Sequence, residues 1–145
     1  MLKKPMFVAT VFVLLLCATP LQADNASPLG KWTTFDDDTQ QAKSIVEVYA
    51  EGDTLSAKIV KVLNPKEPNP KCDKCDGDLK DAPIEGLRFV WDMKQDGDSW
   101  SGGHILDPES GKVYKAKMSL DDNGSKLDVR GSLGPFGRTE VWKRD

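Results

Sequence analysis

From Leu29 onward apolar and polar residues alternate with a period of two, and the alternation is interrupted at near-regular intervals by residues suited to tight turns. The alternating runs are LGKWTTF, KSIVEVYA, TLSAKIVKVL, GLRFVWDMK, SWSGGHIL, KVYKAKMSL, KLDVRGSL and FGRTEVWK. Several of them are separated by EGD, QDGD, DPESG, DDNG and GP, residues that accept positive φ or preset a turn. Eight short strands joined mostly by hairpins predict an antiparallel meander.

The alternation also predicts which way each strand faces. In the fourth run Leu87, Phe89, Trp91 and Met93 share one side and Arg88, Asp92 and Lys94 the other, with Val90 an apolar residue on the polar side. In the sixth, Tyr114, Ala116, Met118 and Leu120 oppose Lys115, Lys117 and Ser119. One buried and one wet face per strand is what an antiparallel sheet closed on itself requires, and closure removes exposed edges. The expected fold is therefore all-β, an antiparallel eight-stranded up-and-down barrel, with an open two-sheet sandwich as the alternative.

One segment breaks the rhythm. Residues 64–84, NPKEPNPKCDKCDGDLKDAPI, hold four prolines and little apolar content, and form a long connection between the third and fourth strands. Cys72 and Cys75 lie in it. A zinc site would need two further ligands, and the chain has no second cysteine pair and a single histidine, His104, far away in sequence. A thioredoxin-type pair would sit at a helix N-terminus in a βαβ setting, which the flanking residues do not provide. A disulfide ranks first, redox exchange second and metal third.

Compartment bears on that ranking. Lys3 and Lys4 precede an apolar run from Met6 to Leu16, followed by small residues and LQA. This order reads as a secretory signal over residues 1–23, cut after Ala23, leaving one domain over 24–145. The apolar run is too short to span a membrane, which takes about 20 residues. Cys17 is a poor lipidation site because the residue before it is Leu16 rather than a small one. Removing the signal takes Cys17 away, leaves two cysteines for an oxidising compartment, and moves the formal charge from −3 to −5. An acidic chain is poorly suited to nucleic acid, where Lys and Arg must neutralise phosphates. The expected location is the periplasm or the exterior.

SPLGKW, KSIVEVY, the Cys-x-x-Cys loop, WSGGHILDPESGKVY, LDVRG and the terminal FGRTEVWKR together resemble the exported bacterial family known as domain of unknown function 2147, from Ser27 to Arg144. The resemblance implies a lipocalin-like (calycin) barrel and no established reaction. The Gly-x-Trp of LGKW is similar to the opening signature of calycin barrels, which implies that Trp32 plugs one end with an arginine across its indole, Arg144 before Arg138.

Candidate chemistry remains sparse. His104 stands near Asp107 and Glu109, and a histidine beside carboxylates can act as a general base. No nucleophile with base and orienter accompanies it, so Gly102 and Gly103 read instead as a bulge in a barrel strand and DPESG as the turn after it. The acidic runs Asp36–Asp38 and Asp76–Asp78 read as solvated turns, the latter failing the calcium-loop pattern. In the last strand, an inward Trp142 would bring Glu140, Arg138 and Phe136 to the same face. Buried charges are rare unless paired or bound, so these are a polar anchor for a ligand, a structural ion pair near a barrel end, or residues turned outward by a bulge after Gly137.

The sequence thus points to a binding protein for a small apolar or amphipathic molecule, without catalytic residues, metal or cofactor. Its candidate ligand contacts are Phe89, Trp91, Tyr114, Met118, Arg138 and Glu140. The alternative is a filled barrel that meets a protein partner or takes part in envelope assembly through its surface and the Cys72–Cys75 loop.

Overall fold

A computed structural model describes residues 27–145; the predicted export signal lies outside the described residues. The strands are β1 (Gly30–Phe35), β2 (Ala42–Glu51), β3 (Thr54–Val62), β4 (Arg88–Asp96), β5 (Ser99–Leu106), β6 (Val113–Asp121), β7 (Lys126–Leu133) and β8 (Phe136–Arg144). Each pairs antiparallel with the next, and β8 closes on β1 through Trp32↔Arg144 and Thr33↔Lys143. The sandwich alternative is thereby set aside.

Inward residues pack most tightly around one end of the barrel. Trp32, Val46, Ala57, Val90, Met93, Leu127 and Trp142 are all fully buried there or in the adjoining middle layer. A large apolar side chain removed from water in this way contributes about 1.5–3 kcal/mol before entropy is subtracted. The indole Nε1–H of Trp32 donates to the Pro28 carbonyl at 2.9 Å. Arg144 lies across the ring, its guanidinium carbon 4.2 Å from the centroid. Its N–H groups donate to the carbonyl oxygens of Gly124 (2.8 Å), Leu29 (3.1 Å) and Ser27 (2.7 Å). One cation thus ties the entering chain, the β6–β7 turn and the last strand over the plug. Arg138 sits towards the other end of β8.

Strand β4 departs from strict alternation twice. Against β3, Ala57 and Lys58 face Val90 and Arg88, so Phe89 is an extra residue; Leu55 and Ala57 face Met93 and Val90, so one more is inserted at Trp91–Asp92. Asp92 accordingly adopts φ 57°. A bulge puts two consecutive residues on one side. Phe89 and Val90 therefore both point inward, Phe89 reaching to 5.8 Å from the Trp142 ring, and Trp91 turns outward. The inward assignment of Trp91 is thus corrected: its indole stacks on His104 at 5.7 Å, with the Arg88 guanidinium 6.0 Å away.

The glycines of β5 make this possible. Gly102 has φ 77° and lies in a bulge where β5 gains one residue on β6 between Trp100 and Gly103. A Cβ on Gly103 would collide with the Trp91 carbonyl oxygen and come within 2.8 Å of the Asp92 carbonyl carbon. Only a hydrogen fits against the kinked backbone of β4.

Candidate functional site

The end opposite the Trp32 plug carries the β1–β2, β3–β4, β5–β6 and β7–β8 connections, and one inner wall of the barrel opens toward it. The β7–β8 register is unbroken, so Leu127–Trp142, Val129–Glu140, Gly131–Arg138 and Leu133–Phe136 are successive pairs on the inner face. Leu127 and Trp142 are 0% exposed and Val129 2%. Further along the same face the Glu140 side chain is 30% and that of Arg138 70% exposed, and Leu133 and Phe136 reach 59% and 79%. On the same inner surface Ile105, Tyr114 and Glu140 are only half-buried, so water reaches the interior at this end. This end is a mouth, and Leu133 and Phe136, at the tip of the hairpin turned by Gly134 and Pro135, form its apolar lip.

The mouth is polar on one side. Arg138 forms an ion pair through Nη1 with Asp37 Oδ2 of the β1–β2 connection (2.9 Å) and donates through Nη2 to Glu140 Oε1 (3.2 Å). The second oxygen of Glu140 accepts from Trp142 Nε1 at 3.4 Å. On the adjoining strands Thr34 and Ser44 are buried and share a 2.6 Å bond between their hydroxyls. The facing wall is apolar: Phe89 and Ile59 are buried, while Ile105 and Tyr114, paired on the inner face, are half-buried. Gly131 has no steric or backbone need to be glycine, since an added Cβ would make ordinary contacts with Ile105 (3.4 Å) and Tyr114 (3.5 Å). A side chain at this position would therefore lie directly against those two residues.

Of the sequence-derived ligand contacts, the structure gathers Phe89, Tyr114, Arg138 and Glu140 around the mouth. Met118 is 1% exposed, paired with Trp100 and Val129 deeper in the packed interior, and does not join them. Trp91 is outside. Thr34, Ser44, Ile59, Ile105 and Gly131 were missed. Thr34 and Ser44 carried a readable signal, because each is a polar residue at an inward position, two from Trp32 and Val46 respectively.

The Cys72–Cys75 disulfide is formed, its cysteines 0% and 2% exposed and their Cα atoms 5.3 Å apart. The loop around it folds on itself through Cys72 N–H to Ala82 O (2.8 Å) and Ile84 N–H to Pro70 O (2.9 Å). It packs on the β5–β6 turn, where the Pro108 carbonyl oxygen lies 3.6 Å from Cys72 Sγ. Glu109, in that turn, reaches Lys43 of β2 at 3.3 Å. Loop and turn together cover part of the rim.

His104 faces outward against Trp91, and its Nδ1 is buried without a hydrogen-bond partner. Asp107 is engaged within its own turn by Glu109 N–H and the Ser110 hydroxyl, so the two carboxylates serve elsewhere. Among the described residues no group of three or more His, Cys, Asp or Glu is placed to hold a metal ion, and no helix is long and apolar enough to cross a membrane.

A family model described as "Uncharacterized protein conserved in bacteria (DUF2147)" matches residues 30–144. No curated protein matches the chain. A solved structure, protein HP1028 from the human pathogen Helicobacter pylori, described as belonging to the lipocalin family, superposes with a TM-score of 0.71. The two are 22% identical over 82% of this chain and 83% of that one. At that identity the likeness is one of fold.

Proposed function

Because the chain belongs to the bacterial DUF2147 family and closes into a lipocalin-like barrel, we propose that it binds a small apolar or amphipathic molecule in the mouth of that barrel, in the periplasm or outside the cell. The supporting observation is the rise in exposure along one inner face, from Leu127 and Trp142 at 0% to Phe136 at 79%. Affinity would come from removing Phe89, Tyr114, Ile105 and the lip residues from water, and orientation from the Glu140–Arg138 pair.

The test is binding of the neutral apolar probe N-phenyl-1-naphthylamine, read as enhanced fluorescence. Wild type is expected to bind it, and Gly131→Leu, which adds bulk on the inner wall beside Ile105 and Tyr114, to bind at least about tenfold more weakly while melting within a few degrees of wild type. No enhancement with wild type, or equal binding by both proteins, counts against the mouth as the site.

A second reading has one observation in its favour. Leu133 and Phe136 expose more of their surface than any other large apolar residues described, at 59% and 79%, and would also suit a protein partner meeting the rim. Loss of partner capture on Phe136→Ser with unchanged probe binding would favour it.

A further inference from the structure

The charges at the mouth restrict what kind of polar group a ligand can bring there. Asp37, Arg138 and Glu140 form one chain of ion pairs, two carboxylates to one guanidinium, so the cluster carries a net negative charge. The cation is engaged on both sides, at 2.9 and 3.2 Å. A carboxylate or phosphate arriving at Arg138 would meet the repulsion of two carboxylates already paired with it, and would compete for the counterion of Glu140, which lies partly buried beside Trp142. Asp36 and Asp38 on the same connection add to the negative field, and the whole chain is acidic at −3. By contrast, a protonated amine would add the missing positive charge, and a hydroxyl could donate to the free lone pairs of Glu140 and Asp37.

We infer that the preferred ligand is an amphiphile whose polar end is a hydrogen-bond donor, a protonated amine before a neutral alcohol and a carboxylate last, with that end seated against Glu140, Asp37 and Arg138. The apolar part then lies against Phe89, Ile105 and Tyr114 and runs out along Leu133 and Phe136. Polar groups sit deeper than the lip on this wall, so the head enters first. This rests on the proposed use of the mouth as a binding site and goes further by assigning the head group.

Displacement of N-phenyl-1-naphthylamine by decylamine, decanol and decanoate, matched in chain length and kept below micelle formation, separates the two levels. Decylamine is expected to half-displace the probe at a concentration about tenfold or more below decanoate, with decanol between them. Glu140→Gln should reduce that margin to about threefold or less; Asp37→Asn, on an exposed connection, should shift it in the same direction by freeing Arg138. A wild type in which decanoate competes as well as decylamine overturns the head-group assignment while leaving the binding site standing. So does an unchanged margin in both variants. A wild type that binds no probe overturns the site itself, and the assignment with it.

Discussion

Gly111 rests its Cα against the carbonyl of Lys74, with φ 72°, so closely that a Cβ would overlap the carbonyl oxygen. This contact joins the disulfide loop to the β5–β6 turn, and it gives Cys72–Cys75 its structural context. The bridge closes a very short loop, and it shapes a surface that a second loop packs on.

Gly111→Ala should therefore cost about 1–3 kcal/mol, from left-handed strain and the displaced Lys74 carbonyl together. Removing the bridge with Cys72→Ser and Cys75→Ser should cost about 2 kcal/mol on the chain-entropy account. Since both disturb the same packing, the combined loss measured by urea unfolding should fall short of the sum. Full additivity would mean that the loop and turn do not support one another.

Arg144→Ala should lower stability by about 2–4 kcal/mol, because the cation on the Trp32 face and donors to three carbonyl groups are lost at once. Arg144→Lys should recover only part of this, since a single ammonium cannot reproduce the fork that reaches Gly124, Leu29 and Ser27. Equal unfolding midpoints for Lys and Arg at this position would show the plug to depend on charge alone.

Asp36 gives a pH dependence of definite sign. The backbone N–H of Thr39, then that of Asp38, hold its carboxyl below the ordinary value of 3.8. A depressed carboxylate adds stability above its unfolded pKa, and that contribution disappears as pH falls through the folded value. Glu51, lowered first by the Ser56 hydroxyl and then by Arg88, acts in the same direction. The melting-temperature difference between wild type and Asp36→Ala should be constant from about pH 7 to about pH 5 and shrink as pH falls below about 4. A difference that widened on acidification would contradict this.

Strand number, order and the antiparallel sense were legible in the chain because a period of two and the turn residues between runs are local properties. The same holds for β8: its unbroken pairing with β7 means that counting back from Trp142 correctly brings Glu140, Arg138 and Phe136 to the inner face. Counting fails in β4, where each inserted residue reverses the side of those beyond it, so Trp91 goes out and Val90 goes in. The bulge at Trp91–Asp92 lies against Gly103, a residue of the neighbouring strand, and within β4 only Val90, apolar on the polar side, marks the break in alternation. Met118 illustrates a different limit. Alternation tells which face a residue takes but not how deep it lies along the barrel, because depth follows from strand tilt and stagger around a closed sheet. The sequence by itself determined the strands, their order and most of their facings, since these arise from near neighbours and turn chemistry. Tertiary structure alone decided where the barrel opens, what the cysteine loop packs on and which charges meet at the mouth, because those arise from residues brought together only when β8 closes on β1.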